Sequence, residues 1–439
     1  MRVTSNNAKK LLREGFSHTI KEIDLVKAME RFRSDLEAVL SGYLQNITTN
    51  AERVRLIAFG KAAVPMTSWL IDTFELSGIR VVISAPRLPQ REWAGFKCFA
   101  GGHPVPNKQS LQAARAALEI ANAAVENDLV LFLMSGGGSA LMELPFDDSV
   151  SLRDTESMYG TLVTCGADIV ETNVIRKHLS RVKGGRLALA ASPARQVTLY
   201  VSDVPEGCES SVASGPTMPD ESTLEEFRQI AERYELRQKL PASVIELMND
   251  STLPDTPKPG DPAFRRSAWS CVLANRHAVD AMRRFADNAG WKVVVDDSPD
   301  DLEISTAADV LLKHLGQLRE TSPGTPVCVI SGGELRSPVV GSGVGGRNQA
   351  FVLECVPRIA GEKIAVLSAG TDGIDGNSPA AGALADGSSA QRAKRMGLDS
   401  ASFSRNSDSY SFFKRLGDDI TCGPTGNNVR DIRVLLSWE

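Results

Sequence analysis

Several features that would assign this chain to a familiar class are missing from its sequence. The seven cysteines among 439 residues stand singly, without a C-x-x-C pair, which predicts reduced thiols rather than a disulfide framework. No apolar run reaches the length of a membrane span, and the polar, charged N-terminus predicts no secretory signal. Neither sign of charge dominates, because 54 acidic residues and 49 basic ones leave a net charge of −5. We therefore expect a cytoplasmic protein that binds neither nucleic acid nor a membrane surface.

The motifs of the best-known nucleotide-binding enzymes are also missing. The Gly60-Lys61 pair is followed by Ala62, so the chain lacks the G-x-x-x-x-G-K-[ST] loop, and it has no protein-kinase HRD or DFG triplet. Residues 341–346 match G-x-G-x-x-G, but the short run before them contains a proline, which a central strand resists. The match is weak evidence for a dinucleotide site. A phosphate-cradling loop fits better, with Arg347 and Asn348 directly after it.

What the chain does contain is two apolar runs that open into glycines. Residues 129–135 lead into a first elbow at 136–139, and residues 327–331 lead into a second elbow at 332–334. A buried parallel strand that ends in glycines brings bare N–H groups to the carboxyl edge of a sheet, where α/β proteins bind anions. The alternative is a tight turn at each strand end. The substrate or phosphate contacts predicted at the two elbows are Ser135, Gly136, Gly137, Gly138, Ser139, Gly332, Gly333 and Glu334.

Strand-like and helix-like segments alternate along most of the chain, which predicts right-handed βαβ units. We expect an α/β fold of Rossmann-like type, with two domains that have mainly parallel sheets and flanking helices. Four prolines among polar residues predict a linker and hinge at 251–267. The predicted organisation is therefore an N-terminal domain at 1–250 and a C-terminal domain at 268–439, with the active site in the cleft between them.

Basic residues supply candidates for anion contacts. Lys61 lies between a predicted strand and a helix start, where a lysine can reach an anion as a flexible point charge. Residues 176–186 hold five Lys or Arg, and at helical spacing Arg176, Ser180 and Lys183 share one face. We interpret this face as an anion clamp. The alternatives are a surface lysine at position 61 and a solvated helix face at 176–186.

Aspartates at strand ends are candidates for a metal site. Asp203 follows the predicted strand at 197–202, and Asp372 lies in the glycine-rich segment 370–376 after another. Carboxylates in such places suit Mg²⁺ held through water and phosphate oxygens. The alternative is an aspartate that caps a turn, and for Asp375 it is equally well supported.

Ordered motifs over nearly the whole chain resemble those of one family, the glycerate 2-kinases of the MOFRL type, also called class II glycerate kinases. The motifs are AFGKAA at 58–63, GGHPVPN at 101–107, SGGGSAL at 135–141, RKHLSRVKGGRLA at 176–188, SDVP at 202–205, ASGPT at 213–217, ANRHA at 274–278, SGGE at 331–334, GGRNQ at 345–349, GTDGIDG at 370–376 and GPTGNNV at 423–429. The chain departs from many relatives at 206–209 and 377–379, so we assign no metal ligands there.

The resemblance implies an ATP- and Mg²⁺-dependent transfer of a phosphoryl group to the 2-hydroxyl of D-glycerate, which gives 2-phosphoglycerate. It implies that Lys61 and Arg347 are catalytic. With the candidates above we add Asp372 to the catalytic set, and we expect Asn275, Asn348 and Asn427 to contact substrate or phosphate.

Two other functions stay open from the sequence. Family members have also been called hydroxypyruvate reductases, and a nicotinamide-dependent reductase would need a convincing dinucleotide fingerprint. A non-catalytic sensor of sugar acids or nucleotides would gain weight if Lys61 and Arg347 were remote from each other. The expected partner is a small molecule, and the sequence leaves a homodimer open.

Overall fold

The chain folds into two compact units. The computed structural model describes residues 3–44, 53–91 and 93–439. One unit, the N-terminal unit, is Ala28–Val272, and the other, the C-terminal unit, joins Met1–Lys27 to Leu273–Glu439. Each unit contains a six-stranded sheet with helices packed on it, so the predicted α/β class is confirmed. Within the described residues no helix combines the length and apolar content that a membrane span needs.

The secondary structure elements are numbered here in chain order. The helices are α1 (Ala8–Glu22), α2 (Leu25–Glu30), α3 (Arg33–Leu44), α4 (Ala63–Phe74), α5 (Lys108–Asn122), α6 (Gly138–Leu141), α7 (Leu152–Thr164), α8 (Ile169–His178), α9 (Arg186–Ala191), α10 (Leu224–Arg233), α11 (Leu236–Lys239), α12 (Ala242–Asn249), α13 (Asn275–Asn288), α14 (Ile304–Glu320), α15 (Arg347–Arg358), α16 (Ser389–Arg395), α17 (Ser400–Arg405) and α18 (Ser409–Leu416), with 3₁₀ turns at Glu209–Ser214 and Pro262–Phe264. The strands are β1 (Val54–Phe59), β2 (Arg80–Ala85), β3 (Lys97–Ala100), β4 (Leu129–Met134), β5 (Arg195–Val201), β6 (Ser267–Leu273), β7 (Lys292–Val295), β8 (Val327–Gly333), β9 (Ile364–Gly370), β10 (Gly382–Asp386), β11 (Asp419–Ile420) and β12 (Asp431–Ser437).

The sheet of the N-terminal unit confirms the predicted parallel arrangement. Its order is β3-β2-β1-β4-β5-β6, and the pairs from β3 to β5 are parallel. The central strands β1 and β4 are buried along their whole length, which explains their nearly continuous apolar sequences. Because these strands run in the same direction, the residues that follow β1, β4 and β5 meet at one edge of the sheet. That edge carries Lys61, the first elbow and Asp203.

The sheet of the C-terminal unit differs from the prediction. Its order is β11-β10-β9-β12-β8-β7, and only the β7–β8 pair is parallel. The last strand, β12, runs antiparallel between β8 and β9, and β10 returns antiparallel beside β9 after the short connection 371–381. A connection of that length is too short for the helical crossover that parallel neighbours need. The expectation of a mainly parallel second sheet was therefore wrong.

The N-terminal helix belongs to the C-terminal unit, whereas the predicted domain 1–250 assigned it to the other half. Leu12 and Phe16 of α1 pack with Met282 of α13 in a core on one face of the second sheet. Lys9 binds Asp418 across a Nζ–Oδ1 distance of 2.8 Å. The amphipathic pattern of α1 was visible in the sequence, but the surface that covers it lies more than two hundred residues away.

The proline-rich segment 251–267 is folded against the N-terminal unit. Leu253 and Thr256 are buried, and the Arg186 guanidinium donates to the Pro254 carbonyl at 2.7 Å. The Asp255 carboxylate lies 3.0 Å from Nε2 of the buried His178. The segment is therefore not the predicted linker, and the chain passes between the units after Lys27 and again after Val272.

Candidate active site

The first elbow is a close-packed turn at the carboxyl end of β4. Gly137 has φ of 79°, in the left-handed region that favours glycine, and the short helix α6 starts directly after it. A Cβ added at Gly136 would overlap the Asp203 carboxylate, and one added at Gly138 would lie 2.6 Å from Cβ of Ala213. Glycine is needed at these two positions because Asp203 and the 3₁₀ turn Glu209–Ser214 pack directly on the backbone of the elbow.

Lys61 is tied to this elbow through its backbone. The Lys61 N–H donates to the Gly136 carbonyl at 3.0 Å, and the Ala62 N–H donates to Oγ of Ser135 at 2.9 Å. The Lys61 side chain is exposed, and its Cγ passes 3.4 Å from the position that a Cβ would take at Gly137. The structure thus brings Lys61 next to Ser135 and the first elbow.

A cavity of about 230 Å³ opens beside the elbow, and Arg176 and His103 are the basic residues of its lining. Its lining includes His103, Ser139, Tyr159, Asn173, Arg176 and Asp203. The guanidinium of Arg176 lies 4.7 Å from the centre of the Tyr159 ring, and its buried Nε has no hydrogen-bond partner among the described residues. Burial lowers the pKa of His103, and the charges of Lys61 and Arg176 lower it further. The cavity therefore suits an anion.

His103 belongs to this site. The sequence shows no metal-ligand partner for it at a regular spacing and leaves it as a structural residue or a substrate contact. Ser214 is a residue that sequence reasoning missed, with φ of 61° and a hydroxyl 2.7 Å from that of Ser139. It also donates to Asn173 at 2.9 Å, so a strained backbone orders the polar edge of the cavity.

Lys183 does not reach the cavity. Helix α8 ends at His178, so Arg176 and Lys183 do not share a helix face as predicted. The Lys183 side chain is fully buried, and its Nζ lies 2.5 Å from Oε2 of Glu143. Glu143 also accepts from the Tyr159 hydroxyl at 2.5 Å. Lys183 therefore binds Glu143 instead of the predicted anion. Through Glu143 it fixes the Tyr159 ring, over which the guanidinium of Arg176 lies.

The second elbow is closed by side chains of its own unit. The N–H groups of Gly332, Gly333 and Glu334 donate to the side chains of Asp297, Asn275 and Asp300 at 2.8–3.0 Å. These donors are not available to an anion, so the tight-turn interpretation holds here.

The three predicted asparagine contacts are engaged in structural hydrogen bonds. Asn275 donates to the carbonyls of Val429 and Asp431 at 2.7 and 2.9 Å, which joins the second elbow to the start of β12. Asn427 is buried and donates to the Ile23 carbonyl at 2.9 Å. Asn348 is also buried, although it lines the cavity beside Arg347.

The glycine run 341–346 is not an open phosphate loop. The N–H groups of Gly343, Val344 and Gly345 donate to Asn406, Asp408 and Asn377 at 2.9–3.1 Å. No described strand leads directly into the run, because β8 already ends at Gly333, so the run is not a dinucleotide fingerprint either. Its glycines allow the chain to pack directly on the backbone at 406–409.

Arg347, the first residue of α15, is held by two carboxylates. Its Nε donates to Oδ2 of Asp431 at 2.5 Å, and its Nη2 lies 2.7 Å from Oε1 of Glu334. Burial alone would lower the pKa of Arg347, but Asp431 and Glu334 raise it well above its ordinary range. The side chain remains 36% exposed and lines a cavity of about 550 Å³. Arg347 therefore presents a permanent, oriented charge to that cavity.

Two aspartates of the GTDGIDG segment have different environments. Asp372 is half-buried, lines the same cavity and accepts from the Ile374 N–H at 3.0 Å. Asp375 is buried and accepts from the N–H groups of Asn348 and Gln349 at 3.1 and 2.8 Å, so it caps α15. Burial raises the pKa of Asp375 to about 7. The capping interpretation of Asp375 agrees with this placement.

The two predicted metal ligands lie in different units, Asp203 in the N-terminal unit and Asp372 in the C-terminal unit. In residues 3–44, 53–91 and 93–439 no cluster of three or more His, Cys, Asp or Glu could hold a metal ion by itself. A cation at either aspartate would need further oxygen ligands from water or substrate.

Replacing Lys183 tests its structural role. Lys183→Met leaves the Glu143 carboxylate buried without its charge partner, so we expect the free energy of unfolding to fall by about 3–5 kcal/mol. Lys97→Met, at an exposed lysine that pairs with Glu119, is the matched control and should cost less than about 1 kcal/mol. Urea denaturation followed by circular dichroism measures both. Equal stability of Lys183→Met and the parent protein would contradict the assignment.

Comparison with known proteins places the chain in a family. One family model, described as a domain of unknown function (DUF4147), matches residues 11–249, and the MOFRL family model matches residues 327–431. The D-glycerate 2-kinase of Thermotoga maritima is 35% identical over 93% of this chain and 97% of its own length. A relative from Agrobacterium vitis, provisionally named a hydroxypyruvate reductase, is 34% identical over 88% of this chain and 87% of its own.

The similarity extends to the fold. The crystal structure of a glycerate kinase from Thermotoga maritima matches with a TM-score of 0.83 and 33% identity, and covers 98% of this chain and 100% of that chain. Sequence and fold agree over nearly the full length, and the chain therefore belongs to the glycerate 2-kinase family, with a MOFRL domain in its C-terminal half.

Proposed function

We propose that the protein transfers the γ-phosphoryl group of ATP to the 2-hydroxyl of D-glycerate, giving 2-phosphoglycerate and ADP. The observation that carries the proposal is Arg347, a guanidinium oriented by Asp431 and Glu334 toward a cavity, in a chain whose relatives include glycerate 2-kinases. Phosphoryl transfer depends on positioning and on stabilising charge that spreads over the phosphoryl oxygens. A fixed guanidinium supplies that stabilisation without reorganising during the reaction.

The basic cavity of the N-terminal unit is the proposed site for glycerate. Arg176 would bind the carboxylate, because its buried guanidinium has an unpaired Nε and stacks on Tyr159. Ser139 and Asn173 line the same cavity and would contact the hydroxyl groups. Lys61, on the glycine-flanked edge beside this cavity, is the proposed catalytic cation of this unit.

The cavity beside Arg347 is the proposed site for the nucleotide. Asp372, Asp375 and Asp431 line it together with this single arginine, so a polyphosphate would meet more negative than positive charge. A divalent cation would offset the imbalance, and Mg²⁺ is typically bound by one or two carboxylates with water and phosphate oxygens. Asp372, half-buried at the cavity wall, fits that role. When bound, the ion would neutralise phosphate charge, while Arg347 would stabilise the transferred group.

Product identity tests this function directly. The protein with ATP, Mg²⁺ and D-glycerate should yield 2-phosphoglycerate in ³¹P NMR spectra, and a sample without glycerate should show no comparable loss of ATP. Hydroxypyruvate with NADH or NADPH should show no loss of cofactor absorbance, because residues 341–346 lack both a preceding strand and open N–H groups. Formation of 3-phosphoglycerate, or robust oxidation of the nicotinamide that does not depend on Lys61, would contradict the proposal.

Three substitutions separate the proposed roles. Lys61→Ala and Arg347→Ala remove charges that stabilise the transition state, so each should lower kcat by about a hundredfold or more. Arg176→Met removes a contact made to bound substrate, so it should raise KM for glycerate by about tenfold or more with a smaller change in kcat. Arg91→Met, at an arginine with 63% exposure, is the control and should change neither constant. Near-normal turnover of both alanine variants would refute the catalytic assignment.

A further inference from the structure

Two valines beside the Arg347 cavity are unusually exposed for apolar side chains. Val339 and Val340 are 82% and 78% exposed, more than the other large apolar side chains of the described residues. The loop that carries them is fixed, because the Val340 N–H donates to Oγ of Ser407 at 3.0 Å and the Gly343 N–H donates to the Asn406 carbonyl at 2.9 Å. A fixed loop therefore holds apolar surface in water, which typically marks a binding surface.

These valines lie where two cavities adjoin. The cavity of about 550 Å³ beside Arg347 and a neighbouring cavity of about 270 Å³ share part of their lining. The shared residues are Ser337, Val339, Gly345, Gly346 and Ser407. Because the two cavities share these residues, one ligand can extend from the first cavity into the second.

The second cavity adds an apolar wall to the first. Ile304, Val340, Leu353 and Phe403 belong to that wall, while Glu303, Glu354 and Arg336 are the charged members of the lining. Two acidic residues beside one arginine disfavour phosphate, and apolar side chains that include a phenyl ring favour a flat, uncharged ring.

One helix connects the two environments. Helix α15 presents Arg347 to the first cavity and Ala350 and Leu353 to the second. These positions recur every three residues, as expected for one helix face, and they span roughly 9 Å along the axis. The helix thus places a phosphate-binding charge and an apolar wall at a fixed separation.

We propose that the second cavity is the nucleobase subsite: the purine ring of the nucleoside triphosphate packs against Val339, Val340 and Phe403, and its phosphates extend toward Arg347. The inference rests on the proposed function, since it assigns the base of the same phosphoryl donor. It places adenine in the C-terminal unit.

A charge inside the apolar wall tests the subsite without relying on turnover. Isothermal titration calorimetry measures the Kd of MgADP for the full chain, for Val340→Asp and for Val26→Asp, whose valine is 53% exposed and lines neither cavity. Val340→Asp should weaken binding by about tenfold or more, because the base would desolvate a carboxylate. Val340→Ser should give a smaller loss, and Val26→Asp should match the parent protein. KM for ATP should rise most in Val340→Asp, less in Val340→Ser and not at all in Val26→Asp.

The outcomes separate this inference from the proposed function. If the parent protein phosphorylates glycerate and binds MgADP, but Val340→Asp binds it within twofold of the parent, the nucleobase subsite is wrong and the kinase assignment stands. A Val340→Asp variant that changes KM for glycerate alone, or the oligomeric mass alone in light scattering, would also overturn the subsite. If the parent protein neither binds MgADP nor uses ATP, both the proposed function and the nucleobase subsite are wrong.

Discussion

The arrangement of the C-terminal unit depends on the ion pair between Arg347 and Asp431. Asp431 begins β12 and lies in register with Gly333 of β8 and Gly370 of β9, so it sits between two strand ends that carry no side chain. Its carboxylate is only 3% exposed, and a buried carboxylate is costly without a charged partner. Arg347 supplies that partner and still presents part of its guanidinium to the cavity. The mixed sheet is thus what brings a carboxylate beneath the arginine.

The N-terminal unit positions its arginine by a different route. Lys183 and Glu143 form a buried pair, Glu143 accepts from the Tyr159 hydroxyl, and the guanidinium of Arg176 lies over the Tyr159 ring. The two basic residues that the sequence suggested as one clamp therefore have separate roles. The buried lysine is neutralised inside the core. Arg176, whose buried Nε has no hydrogen-bond partner among the described residues, keeps its charge for a ligand.

The sequence predicted the parts of this molecule that depend on local pattern. The apolar runs of β1 and β4, the glycines of the first elbow and the placement of Lys61 were all predicted from neighbouring residues. Prediction from the sequence failed for features that depend on contacts between segments far apart in the chain. The antiparallel insertion of β12, the carboxylates that fill the second elbow and the burial of Lys183 against Glu143 leave no local signal. Asp431 was missed for the same reason, since an isolated aspartate at a strand start has no motif of its own.

The most direct measurement of the central claim is steady-state kinetics of Asp431→Asn, together with its unfolding free energy. Asparagine keeps an oxygen that can accept from Arg347 but removes the charge that orients the guanidinium. The account predicts a kcat at least about tenfold lower, with smaller changes in both KM values, since the lost orientation matters most in the transition state. Glu334→Gln, at the more exposed of the two carboxylates, should have a weaker effect. A folded Asp431→Asn protein with the parent kcat would contradict the claim that this ion pair sets the active geometry.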